Sequence, residues 1–259
     1  MAKLLTESVL RRLTSEACLT YLGQAEKFEL TMYPGCCSAT TGEQVADLNY
    51  VVAGSGASDG DHFADVCTAC IARNLPFVAM IFPEAGGAVE RRAEDLGLVH
   101  AVDFPFMVRE DSPIEPDGNE SVVVHRAEGA GGAEANAQVL SSAFSMPVDA
   151  VRRVLPASLV DTANLDVYLA SIGDDVVGTV TLIQQGDTAG IWSMATDTTR
   201  QRSGIGRRLL STALAEARTQ GVRRFFLGAT PAGFRLYESL GFATRVVATV
   251  WAWGETHQI

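Results

Sequence analysis

The run Gln201-Arg202-Ser203-Gly204-Ile205-Gly206 holds the residue types and spacing best suited to chemistry in this chain. It lies between a strand-like stretch, Ile191-Trp192-Ser193-Met194-Ala195-Thr196, and a helix-like one that begins Arg207-Arg208-Leu209-Leu210. A glycine turn feeding a helix start aims several backbone N–H groups at one point, which suits a phosphate or pyrophosphate. Glycine allows the close approach and the positive φ that such turns use. A P-loop would need Lys-Ser or Lys-Thr after the last glycine, where Arg207-Arg208 stand. A dinucleotide fingerprint would need a third glycine at Leu209 and an acidic residue ending the next strand. Arg223-Arg224-Phe225-Phe226-Leu227-Gly228 supplies no such acid. Other nucleotide-binding α/β readings weaken accordingly.

A second segment, Phe234-Arg235-Leu236-Tyr237-Glu238-Ser239-Leu240-Gly241-Phe242, follows after a helix and a strand. Gln-x-x-Gly-x-Gly-Arg followed by Leu-Tyr-x-x-x-Gly-Phe resembles the signature of the GNAT superfamily of acyl-CoA-dependent N-acetyltransferases. Order and spacing agree over about residues 120 to 259.

The resemblance implies that an amine attacks the thioester of acetyl-CoA to give an amide and free coenzyme A. It implies that the backbone of Gln201, Arg202, Ser203, Gly204, Ile205, Gly206 and Arg207 wraps the pyrophosphate. Met194, Ala195 and Thr196 would pair with the pantetheine arm, and one of their N–H groups would face the acyl carbonyl. Tyr237 would be the general acid, since a phenol titrates near about pH 10 and is protonated at neutral pH. Thr230 stands where many members carry a cofactor-contacting asparagine, and threonine can still hydrogen-bond there. Where some members place a glutamate base, residues 224–228 hold no carboxylate. Asp197, Asp166, a histidine or a water chain are the substitutes, and the base stays unassigned. A protein that binds acyl-CoA as a sensor or interaction module is the alternative; the presence of Tyr237 favours the enzyme.

The elements that must position these residues are legible from periodicity. Strands are expected at 122–124, 165–172, 176–183, 190–196 and 225–228, with helices at 133–143, 148–155 and 232–240. The helix after the loop puts Leu209, Leu210, Ala213, Leu214 and Ala217 on one side and stops at Gly221. Residues 243–253 should form a closing pair of strands. The fold class is α/β (α+β), with a mixed, largely antiparallel sheet flanked by helices, GNAT-like, in two tandem domains. Residues 111–119, acidic and carrying two prolines, read as a linker between domains at 1–110 and 120–259. In the first half, an apolar run at 48–53, a loop at 54–60, helix 62–74, strand 77–82, helix 87–96 and strand 100–107 echo the back of the second half. That half reads as a degenerate copy that holds no cofactor, because its loop lacks the glycine spacing.

The chain has 259 residues and a formal charge of −11, which disfavours nucleic acid and suits a cationic amine substrate. No segment is apolar and long enough to cross a membrane, and the N-terminus lacks a signal-peptide core, so a cytoplasmic location is expected. A small-molecule or peptide amine is the expected partner; a homodimer is left open. Cys18, Cys36, Cys37, Cys67 and Cys70 are read as buried apolar residues rather than disulfide or zinc ligands, and His62, His100, His125 and His257 lack ligand spacing. No metal site is expected.

Overall fold

The structure is a computed structural model describing residues 5–57 and 60–256. The chain divides into two compact units, one of residues up to 106 with 228–230 and 244 onward, the other of residues 107–227 and 231–243. The return of the last strand to the first unit was not foreseen.

The second unit opens with β6 (Val123–Arg126), α4 (Gly129–Phe144) and α5 (Val148–Val154). Then come β7 (Leu165–Ile172), β8 (Asp175–Gln185), β9 (Thr188–Thr196), α6 (Ile205–Thr219), β10 (Arg224–Gly228) and α7 (Phe234–Ser239). Strands β6 to β9 form an antiparallel meander, and β10 joins β9 in parallel. Neighbouring residues of a strand face opposite sides of the sheet. On β8, Thr179 hydrogen-bonds Asn136 of α4, while Gly178 lies against Leu209 of α6, so these helices cover opposite faces. The five expected stripe residues of α6 are all buried. Each of its buried leucines contributes about 1.5–3 kcal/mol. Helix α4 starts a turn earlier than its pattern suggests, because Gly129, Gly131 and Gly132 mask the period. A Cβ at Gly132 would lie 2.9 Å from the Ala127 backbone, so close packing favours glycine there.

The first unit contains α1 (Glu7–Leu22), β1 (Glu29–Tyr33), β2 (Cys36–Thr40), β3 (Tyr50–Ala53), α2 (Asp61–Ala72), β4 (Phe77–Ile81) and α3 (Gly87–Asp95). Strand β5 (Val99–Arg109) carries the chain onward, and β11 (Ala243–Trp253) returns it. β1, β2 and β3 are antiparallel neighbours, β3 and β4 are parallel, and β11 lies antiparallel to β4. Cys36 belongs to the core beneath α2, whereas Cys37 lies 3.6 Å from the Ser15 hydroxyl of α1, so α1 and α2 also cover opposite faces. Two expectations need correction. The hairpin β1–β2 has no counterpart in the sequence reading, because all of β1 is exposed and shows no alternation. Residues 243–253 form one strand rather than two, and they contain no turn-forming residue.

Candidate active site

Strand β9 changes its company part-way along. Its parallel pairing with β10 covers residues 188–190 against 224–226 and stops there. At the last pair the Phe226 ring lies across Gly190, where a Cβ would meet it at 2.8 Å. The antiparallel pairing with β8 continues, but Thr179 faces Ala195 while Thr181 faces Trp192. Ser193 and Met194 therefore share one partner position, a β-bulge, and Ser193 has φ +46°. A bulge bends and twists its strand. Residues 191–196 thus run on, bent, without β10 alongside.

The loop follows directly. Asp197 accepts hydrogen bonds from the backbone and hydroxyl of Thr199, both at 2.8 Å, and starts a short 3-10 turn, Thr198–Arg200. Arg202 has φ +60°, and Gly204, at +79°, caps α6. Among the described residues, the backbone N–H groups from Gln201 through Arg207 donate to no protein acceptor, and Arg208 N–H is the first to turn back, to Gly204 O at 3.0 Å. Helix α6 has no acidic residue in its first turn, so the positive end of its dipole is not neutralised from within. That is an array of donors suited to an anion.

Gly206 ties the loop to its surroundings. A Cβ there would lie 3.2 Å from Met194 Cε, 3.3 Å from Leu236 Cδ2 and 3.6 Å from Thr196 Cγ2. The loop, the end of β9 and α7 therefore converge on one place, bringing together Gly206, Met194 and Thr196; Ala195 between them is buried. Arg207 has other employment. Its guanidinium donates to Asp117 at 2.6 Å and to the Ser239 hydroxyl at 2.8 Å. Arg202 is exposed, and Arg208 is half-buried with its Nε lacking a hydrogen-bond partner among the described residues. Thr230 follows β10 and belongs to the first unit.

Residues 111–119, expected as a linker, are held in place. The Arg109 guanidinium donates to the carbonyls of Ser112, Pro113 and Leu240. Asp117 N–H donates to the Ser211 hydroxyl of α6 at 2.8 Å. Asn119 Nδ2 donates to Ser203 O at 3.1 Å. Nothing in the local sequence signals these contacts, which join residues far apart in the chain.

Tyr237 sits on α7 with its ring packed against Gly233 and edge-on to Phe242, 6.1 Å between centroids. It is 8% exposed, and burial pushes its hydroxyl up to about 12. The suggested bases are occupied. Hydrogen bonds from Thr199 hold the Asp197 carboxyl below its usual range. Asp166 pairs with Arg126 at 2.8 Å, and its carboxyl is raised because desolvation outweighs that cation. Arg126 also reaches Glu216 and the Tyr168 hydroxyl. Among the histidines, His62 stacks on Tyr33 and His100 pairs with Asp103. His125 lies exposed on β6, and His257 lies outside the described residues. All five cysteines are free and buried, and burial raises the thiols. Among the described residues no group of three His, Cys, Asp or Glu could hold a metal, and no helix is long and apolar enough to cross a membrane.

A bulged strand, a donor loop at a helix start and a following helix bearing Tyr237 make up the candidate α/β site. Residues 140–242, which span all three, match the family model of the Acetyltransferase (GNAT) family, and this segment belongs to that family. A GCN5-related N-acetyltransferase from Kribbella flavida superposes with a TM-score of 0.71 over 96% of each chain at 15% identity. Another from Sphaerobacter thermophilus gives 0.62 at 15% identity, covering 85% of this chain and 76% of that one. A GCN5-related N-acetyltransferase-like protein from Streptococcus suis gives 0.57 at 12% identity, over 96% of this chain and 98% of the other. At such identities these likenesses establish the fold: α/β, GNAT-like, with mixed sheet and flanking helices. No curated protein matches the chain in sequence.

Proposed function

We propose that the chain is an N-acyltransferase moving an acetyl group from acetyl-CoA to a primary amine of a small molecule or peptide. The observation that carries this reading is the continuation of β9 past β10, bulged at residues 193–194, directly into the donor loop. The N–H groups of residues 201–207 would hold the pyrophosphate, with the Arg208 Nε as an additional donor. Residues 194–196 would take the pantetheine arm along the strand, one N–H meeting the charge that develops on the acyl carbonyl oxygen. The second unit would be the working domain, and the first would serve as a degenerate GNAT-like or accessory domain.

Tyr237 would act on the leaving sulfur. A phenol near 12 is a weaker acid than a thiol near about 8.5, so full proton transfer runs about three to four units uphill. Donation of a hydrogen bond to the departing sulfur fits that difference better than complete protonation. One observation favours a second reading, an acyl-CoA-binding module without turnover. Both suggested carboxylate bases are already engaged, Asp197 by Thr199 and Asp166 by Arg126. An amine that arrives neutral, or that loses its proton to water, removes the need for either.

Isothermal titration with acetyl-CoA, with NADH and ATP as controls, tests the reading. Binding of acetyl-CoA alone, at about one per chain, followed by amine-dependent thiol release supports an enzyme. Binding without release for any amine class supports the module, and binding of none removes both readings.

A further inference from the structure

The loop that offers its N–H groups must also dispose of its carbonyls. In a trans peptide the C=O and the following N–H point to opposite sides, so the partner of one sets the direction of the other. Ser203 O accepts from Asn119 Nδ2 at 3.1 Å, which turns Gly204 N–H to the far side. Gly204 O lies 3.5 Å from Asn119 N and accepts from Arg208 N at 3.0 Å, which does the same for Ile205 N–H. Both N–H groups belong to the donor array.

Asn119 is itself fixed. Its Oδ1 accepts from Ser121 N at 3.0 Å and from the Ser121 hydroxyl at 2.7 Å, so the amide has one consistent orientation, with the NH2 toward the loop. The approach is tight. Gly118 has φ +110°, and a Cβ there would lie 2.8 Å from both Arg208 N and Gly204 O. A Cβ at Gly204 would in turn lie 3.1 Å from Asn119 N. The Asp117–Arg207 ion pair and the Asp117–Ser211 hydrogen bond hold the neighbouring residues of this clasp against α6.

We propose that Asn119 is a positioning residue for the cofactor, its side-chain amide orienting the peptide plane between Ser203 and Gly204 so that the Gly204 N–H faces the pyrophosphate. The proposal rests on the acyl-CoA reading of the site. Aspartate would place an oxygen where the donating NH2 stands, facing the Ser203 carbonyl, so the role requires the amide.

The test compares wild type with Asn119→Ala by titration with coenzyme A and by thiol release from two thioesters, acetyl-CoA and S-acetylpantetheine, which lacks the pyrophosphate. Asn119→Ala should weaken coenzyme A binding about tenfold and raise KM for acetyl-CoA correspondingly, with kcat within about twofold. Its kcat/KM for S-acetylpantetheine should not change. Ser121→Ala, which leaves the donating NH2 in place, should bind coenzyme A within about twofold of wild type. Asn119→Asp keeps both Ser121 bonds and serves if the alanine variant does not fold. Unchanged coenzyme A binding in either Asn119 variant overturns the proposal, as does an equal loss with both thioesters, which would mean general damage. Wild type that binds no coenzyme A overturns the acyl-CoA reading and the clasp with it. A binding wild type matched by its Asn119 variants overturns the clasp alone.

Discussion

Each unit contains a strand, a glycine loop, a helix and a parallel partner strand, and the two sets differ at their open ends. In the second unit β9 outruns β10 and bends at a bulge. In the first, β3 is paired with β4 along its whole length, from Tyr50–Val78 to Ala53–Ile81, and Phe82 N–H extends the ladder to Ala53 O at 2.9 Å. The space beyond β3 is filled as well. A Cβ at Gly54 would lie 2.0 Å from Arg11 Cδ, and Arg11 pairs with Glu84 at 2.7 Å. The helices start alike, α2 at Gly60 with φ +78° and α6 at Gly204 with φ +79°. Yet α2 carries Asp61 in its first turn, where α6 has no acid. The two units thus differ in how far the strand outruns its parallel partner and in the charge at the helix start, not in the order of their elements.

The largest effect that could break this comparison comes from the two capping glycines. Gly204→Val and Gly60→Val both force a branched residue into a left-handed backbone, each at a cost of about 1–2 kcal/mol or more. Both variants should therefore unfold at temperatures lower by several degrees, on the order of 2–4 °C per kcal/mol. Only Gly204→Val should also lose coenzyme A binding, by about a hundredfold or more, because its Cβ presses on Asn119 N and disturbs the donor array. Calorimetry with titration on each variant reads both quantities. Equal loss of binding in the two would sink the assignment of the site to the second unit.

Next in size is Tyr237→Phe. It should bind coenzyme A within about twofold of wild type while turnover falls about ten- to a hundredfold. Steady-state kinetics with an accepted amine checks this, and undiminished turnover would leave the residue a packing role against Gly233 and Phe242.

Much of the second unit was readable in advance. The strand at 165–172 has the bounds of β7, and the buried stripe of α6 matches its 3.6-residue period. Those features come from local patterning. The bulge at Ser193 and Met194 was not readable, because it is a mismatch of register between two strands and ordinary residues adopt it. Asn119 escaped for a related reason. Asp-Gly-Asn between prolines and a strand has the composition of a linker, and only the folded chain shows that it lies on Ser203. β1 was invisible because an all-exposed edge strand buries neither face and carries no period-two signal.

The buried phenol gives a pH signature of more modest size. Its hydroxyl titrates near 12 in the folded protein and near about 10 when unfolded. A group raised on folding contributes its full stability below the unfolded value and loses it as pH rises through the folded one. About 3 kcal/mol should therefore disappear between pH 10 and 12 in wild type and be missing from that window in Tyr237→Phe. Tyr168 and Tyr50, also raised by burial, contribute to both proteins and cancel in the difference. Urea unfolding of both proteins at pH 9 and pH 11, between which about half of that loss should appear, reads it; parallel losses would mean the Tyr237 hydroxyl is solvated.

The smallest expected effect isolates which difference between the two units matters. Asp61→Ser removes the acid from the start of α2 and its ion pair with Arg92, an exposed pair at 3.2 Å. Such a pair is worth about 0–1 kcal/mol, so stability should scarcely move. The helix start then resembles that of α6 in charge and cap, but β3 stays laddered to β4 and the Arg11–Glu84 pair still fills the space beyond Gly54. Coenzyme A stoichiometry should remain at one per chain. A second equivalent appearing in the titration would mean that charge at the helix start, and not the closed β3–β4 ladder, keeps the first unit from binding. That result would transfer the weight of the comparison from backbone pairing to electrostatics.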